Sequence, residues 1–326
     1  MQARAQASLS PAALAFPQPF RYTGNGMHIT LLNDILFKVV FGTQRHSEAL
    51  RGLLNAILGL QGSDRIAEIT LLNPLREKER LEDKGTALDV KARDGHGRVY
   101  NIEVQVQAQV AYRERSLYYA ANMINAQIES GQDYRQLRKT IHISLTDFVL
   151  FPDYDDLHSI YRLHDLQHDR TLGDLLELHY VEIAKFHKTQ LEELHEPLER
   201  WLYFLRQGTH YQGVSDLPEP LQQEEGMITA MEATHNALCD DEVRYAIEAR
   251  RKWELDRKTE MNAALEAAEA RGRSEGEARG RSEGEARGRS EGEAEAARRI
   301  ARQLVDLGQS DEVIFKATGL RRSDFD

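Results

Sequence analysis

The stretch "LDVKARDGHGRVYNIEVQVQ", residues 88–107, restricts the fold more than any other part of the chain. Its polar and apolar residues alternate on both sides of a glycine-rich turn, the period-two pattern of paired antiparallel strands. In the second strand Tyr100, Ile102, Val104 and Val106 share one face, and Asn101, Glu103, Gln105 and Gln107 share the other. In the first strand Asp89 and Lys91 alternate with Leu88, Val90 and Ala92. Paired residues must share a face, so Asp89 needs an odd-numbered partner. A three-residue loop, Gly95-His96-Gly97, closing on Asp94 and Arg98 places Asp89 directly opposite Glu103.

Like charges directly opposed across a strand pair are destabilising. Two readings of the polar face follow: a solvated sheet surface, which is common, or a metal site. Two carboxylates can coordinate one Mg²⁺, which keeps several waters and accepts a phosphate oxygen as a further ligand. Such an ion polarises phosphorus and lowers the pKa of a bound water. Gln105 could orient that water or bond a phosphate oxygen, but an amide cannot act as a general base.

The segments around the hairpin supply the other layers of an α/β domain. "LLNDILFKVVFG" (31–42) reads as a helix with Asn33 as N-cap, Asp34 in the first turn and Gly42 at its end. "SEALRGLLNAILGL" (47–60) is a second amphipathic helix, and "AEITLLNPL" (67–75) is strand-like. After the hairpin, "YRERSLYYAANMINAQIESG" (112–131) predicts a long helix and "KTIHISLTDFVLF" (139–151) a strand. "DLHSIYRLHDLQ" and "LLELHYVEIAKF" add two more strands. The order helix, hairpin, helix, strand describes a mixed sheet flanked by helices over residues 28–190.

Helical patterning takes over at residues 191–270, where Pro197 indicates a helix that begins late or bends. The octapeptide "RGRSEGEA" then fills 271–294 three times, with glycine at every fourth position from Gly272 to Gly292. As a helix, this tract loses about 1 kcal/mol per glycine relative to alanine. Pairs such as Glu277 with Arg281 return only a few tenths each. A flexible, charge-balanced spacer is the favoured reading, and a close helix–helix contact through the glycine row the alternative. Residues 295–326 form a small helical tail, with Ser310 as an N-cap before Asp311 and Glu312. It suits DNA binding or a docking role equally.

Residues 1–27 are read as a disordered leader, or as upstream of a natural start at Met27, because Pro11, Pro17 and Pro19 interrupt the weakly apolar stretch. The formal charge of −11 argues against a protein that coats nucleic acid by bulk electrostatics, although an enzyme can grip DNA through a local basic patch. With Cys239 the single cysteine, a reducing cytoplasm is the simplest compartment. No apolar run approaches the roughly 20 residues of a membrane span.

The pattern D-x13-E-x-Q across a hairpin flanked by helices resembles the PD-(D/E)XK nuclease superfamily, with Gln105 where that superfamily usually carries Lys. "NDILFKVVFG", "LDVKARDGHGRVYNIEVQ", "YRERSLYYAANMINAQIESGQDY" and "IHISLTDF", in that order, resemble the Rpn family of recombination-promoting nucleases, also labelled transposases. The resemblance extends over nearly everything after Met27.

It implies a restriction-endonuclease-like α/β core followed by a helical C-terminal region. It also implies DNA cleavage dependent on Mg²⁺, with Mn²⁺ able to substitute. Asp89 and Glu103 match the metal-binding carboxylates, and Gln105 the third motif position. The phosphate-activating charge then falls to no motif residue, and Lys91, Lys84 and Lys38 are candidates for it. Asp34 has two readings, metal support or a partner for the helix dipole. Arg113 and Arg115 are candidates for DNA backbone contacts, or else for surface ion pairs. Tyr118 and Tyr119 are expected in the core, and the histidines, including His142, show no metal spacing. A homodimer would suit double-strand cleavage by one site per chain. A nuclease fold without useful catalysis, acting as a DNA-binding or protein-interaction module, is the competing function.

Overall fold

The computed structural model describes residues 29–73 and 89–324. The leader 1–27 and Lys84 lie outside the described residues, and so does the end of the stretch 67–75. Helix α1 (Asp34–Phe41) starts at Asn33, whose side chain accepts the Leu36 N–H at 3.1 Å, and stops at Gly42. Helix α2 (Ser47–Ile57) follows, and then the short strand β1 (Ile69–Leu71). The hairpin is β2 (Val90–Asp94) and β3 (Val99–Gln105). Helix α3 (Tyr112–Asn125) crosses from β3 to β4 (Thr140–Thr146).

Strands β5 (His158–Arg162), β6 (His164–Asp165), β7 (Arg170–Thr171) and β8 (Leu176–Glu182) complete the set. The main sheet has six strands in the order β1-β2-β3-β4-β8-β5. Its centre, β3-β4-β8, is parallel, and both flanks are antiparallel. Parallel strands need covered faces, and every residue of β4 is buried.

Two clusters do the covering. On one face Tyr100, Ile102, Ile141, Ile143 and Leu145 meet α1, α2 and the helices that follow the sheet. On the other, Tyr112 and Ala120 of α3 pack with Phe151, Leu178 and Tyr180. Helices α4 (Pro197–Gln207), α5 (Glu219–Gln222) and α6 (Met227–Cys239) belong to the first cluster through Trp201, Phe204, Leu221 and Met231. Pro197 is in the first turn of α4, where its missing N–H has no partner to lose. The described residues up to Arg251 form one compact unit and those from Lys252 a second, so the break falls inside the stretch 191–270.

The glycine octapeptides are not a flexible spacer in this structure. Helix α7 (Asp241–Asp306) runs through them. Arg279–Glu283, Arg287–Glu291 and Arg289–Glu293 pair one turn apart, and nothing comes within 4 Å of where a Cβ would stand on Gly272 to Gly292. The glycine row therefore makes no close helix contact within the described chain. Helix α8 (Asp311–Thr318) packs Ile314 against Ala301 and ends at Gly319, which has φ +72°. Among the described residues no helix is long and apolar enough to cross a membrane.

Candidate active site

The hairpin ladder runs Val90 to Ile102, Lys91 to Asn101, Ala92 to Tyr100 and Arg93 to Val99. One further step sets Asp89 opposite Glu103. The turn closes where Gly97 N–H donates to the Asp94 carbonyl, and Gly97 supplies the left-handed φ of +82°. Asp94 fastens this end, accepting from the His96 and Arg98 amides and from the Tyr100 hydroxyl at 2.8 Å. Asn73 fastens the other end. Its side chain accepts the Lys91 N–H at 2.7 Å and donates to the Asp89 carbonyl at 3.1 Å. Lys38, 5% exposed, adds a 2.7 Å bond to the same carbonyl and one of 2.8 Å to Asn73 O. The backbone on which Asp89 stands is thereby held from the segment just after β1 and from α1 together.

The face carrying Glu103 is not solvated. Asn101 and Glu103 are 2% and 3% exposed; α3 packs over the neighbouring strands β4 and β8 and reaches Glu103 through Arg115. One carboxylate oxygen, Glu103 Oε1, accepts from Gln105 Nε2 at 2.7 Å and from Arg115 Nη2 at 2.8 Å. The other, Oε2, is buried with no hydrogen-bond partner among the described residues. Burial pushes the Glu103 carboxyl above its ordinary pKa, against the pull of Arg115, and the negative charge of Asp89 adds to the rise. Buried polar atoms are almost always satisfied, so an orphaned carboxylate oxygen on the residue opposite a second acid in the ladder fits a missing cation. Asp89 and Glu103 are the residues that would hold it. Among the described residues no group of three or more His, Cys, Asp or Glu gathers for a metal. A two-carboxylate site therefore suits an ion that keeps much of its water, as Mg²⁺ does.

The other expected residues divide into two sets. Gln105 and Arg115 meet at Glu103, and Lys91 Nζ is 3.3 Å from Asp89 Oδ2. Asp34 pairs with Arg250 at 2.8 Å and accepts the Ile35 N–H, one helical turn from Lys38. Arg113 is turned away, its guanidinium over the Phe151 ring at 5.5 Å. Two residues apart on a helix, Arg113 and Arg115 cannot face the same way. Tyr118 and Tyr119 are not core residues. They are 63% and 37% exposed, because the buried side of α3 runs through Tyr112, Ser116 and Ala120.

His142 is the residue that sequence reasoning passed over. It is fully buried on β4, paired in register with Asn101, and its Nε2 lies 3.9 Å from Glu103 Oε2. Burial, with the Arg115 charge adding to it, lowers its pKa to about 4, so at neutral pH it stands beside Glu103 as a neutral ring. Asn101 Nδ2 and His142 Nδ1 are 3.1 Å apart, and an amide NH₂ only donates. The other ring nitrogen, Nε2, lies 3.2 Å from Ser144 Oγ. The alternation in "TIHISLT" put His142 and Ser144 on one face, but only the parallel β3-β4 pairing brings that face beside Glu103.

No curated protein and no solved structure matches the chain. A family of nucleases does, across the first helices, the carboxylate hairpin, the whole sheet and the start of α7. The chain belongs to the PD-(D/E)XK nuclease family transposases, whose family model matches residues 31–264.

Proposed function

We propose that this protein is a Mg²⁺-dependent DNA endonuclease, with Mn²⁺ able to substitute, acting in recombination or mobile-element transfer in the cytoplasm. Nucleases of this superfamily generally use divalent metals. The observation that carries the reading is the buried, unpartnered Glu103 Oε2 across the hairpin from Asp89. Mg²⁺, when bound, supplies Lewis acidity toward a phosphate oxygen and a lowered pKa for a coordinated water.

The chain's own groups do the positioning. Asp89 and Glu103 provide the anionic pair, and Gln105 fixes the Glu103 carboxylate through its amide. Gln109 in turn bonds Gln105 Oε1 at 3.2 Å. In the reaction a water oxygen bonds to phosphorus and the bond from phosphorus to one sugar oxygen breaks. That oxygen takes up a proton, leaving a hydroxyl and a phosphate monoester. One such site per chain would make a double-strand break easiest for a homodimer.

Plasmid nicking with Mg²⁺ or Mn²⁺ tests this, comparing the unmodified protein with Asp89→Ala and Glu103→Ala. Nicking should need the metal and fall at least about 100-fold in either variant. Equal nicking by all three proteins would overturn a site at Asp89 and Glu103. A second reading, a nuclease fold that binds DNA or protein without useful catalysis, draws on Gln105 in place of a cationic residue. DNA binding with no metal-dependent cleavage would favour it.

A further inference from the structure

Arg115 reaches Glu103 from α3. Its Nη2 holds Glu103 Oε1 at 2.8 Å, its Nη1 bonds Gln109 Oε1, and its guanidinium lies 5.0 Å above the Tyr112 ring. With this clamp made, its Nε is still buried without a hydrogen-bond partner among the described residues. The ion pair thus joins two unspent groups, an anionic acceptor at Glu103 Oε2 and a cationic donor at Arg115 Nε. An anion that also carries a cation satisfies both at once, and a phosphodiester with a divalent metal has that composition.

Among the described residues, the lysines leave this role open. Lys91 pairs with Asp89, and Lys38 is engaged with the backbone carbonyls of Asn73 and Asp89. Gln105 Nε2 and Arg115 Nη2 donate to the same Glu103 oxygen, so a lysine at 105 would set a second cation beside the guanidinium. A neutral amide avoids that repulsion. We propose that Arg115 is a catalytic residue, donating its Nε–H to a non-bridging oxygen of the scissile phosphodiester and supplying from α3 the positive charge that Gln105 lacks. This rests on the metal-nuclease reading above and adds to it a residue that touches substrate at the point of cleavage, beyond a general contact to the DNA backbone.

The test uses the full chain with Arg115→Ala, and with Arg115→Gln should the alanine variant fail to fold. Cleavage should fall by about 100-fold or more. Adding Gln105→Lys to Arg115→Ala should return part of it, because the charge re-enters from the strand. DNA affinity, measured with Ca²⁺ in place of Mg²⁺, should weaken, with the salt slope reduced by about one. Mn²⁺ affinity, followed by electron paramagnetic resonance without DNA, should hold or tighten, because a positive charge beside the carboxylates has gone. Weakened Mn²⁺ binding would mean that Arg115 only orients Glu103, and would overturn the proposal. Unchanged DNA affinity in Ca²⁺, or undiminished cleavage, would also overturn it. If the unmodified protein shows no metal-dependent cleavage, the nuclease reading falls, and the Ca²⁺ binding comparison still decides whether Arg115 holds phosphate.

Discussion

At residue 103 a carboxyl group 3% exposed has one oxygen bonded twice and the other not at all. Because burial and Asp89 raise its pKa, the folded protein holds the Glu103 proton more tightly than the unfolded chain does. Its contribution to stability is therefore full below the unfolded value near 4.5 and is lost as pH rises through the folded value. Above that window the ionised carboxylate opposes folding unless a cation joins it. Glu103→Gln should consequently raise the melting temperature of the metal-free protein at pH 7 and leave it nearly unchanged at pH 4. Mg²⁺ should stabilise the unmodified protein by about 2.7 kcal/mol at 100 times Kd, a shift of several degrees, and should not shift the variant. Calorimetry at the two pH values, with and without Mg²⁺, reads both effects. Equal melting temperatures at pH 7, with no metal shift, would remove the strained carboxylate from the account.

Among elements, α7 departs furthest from sequence expectation. A tract with six glycines and no apolar stripe reads as coil when each residue is weighed alone. In the structure it continues a helix already begun at Asp241, so it needs no nucleus of its own, and its ion pairs lie one turn apart. Replacing Gly276, Gly284 and Gly292 by Ala should stabilise this helix by up to about 3 kcal/mol in all, since open space surrounds each position. Circular dichroism at 222 nm should show the helical signal persisting to higher temperature. No change would mean that the tract is not helical in solution. Helix α1 shows the opposite case, since its start at Asn33 and its end at Gly42 are local capping chemistry and were legible in the residues themselves.

For the whole molecule, the helices after the sheet are part of its core. Trp201, Leu202, Phe204 and Leu205 are fully buried in the cluster that holds α1 and the inner face of β3 and β4. A chain cut after residue 190 should therefore fail to fold, whereas one cut after residue 251 should keep a cooperative unfolding transition. Trp201→Ala in the full chain should cost about 3–5 kcal/mol. Denaturant titration followed by circular dichroism distinguishes these outcomes, and a stable 28–190 fragment would refute the shared core.

The sequence by itself determined what local chemistry can fix. Strand alternation and a glycine turn set the hairpin register, and with it the pairing of Asp89 with Glu103; capping residues set the limits of α1. The tertiary structure decided what depends on elements distant in the chain. The polar face of β3 could have met water, but the fold buries Asn101 and Glu103 there, and Glu103 Oε2 is left without a partner among the described residues. Parallel pairing brought His142 to the site, and the rotation of α3 sent Arg115 to Glu103 while turning Arg113 away. Alternation tells which residues share a face, but not what will lie on that face. Desolvation and charge at the site come from that second layer, and no single strand encodes it.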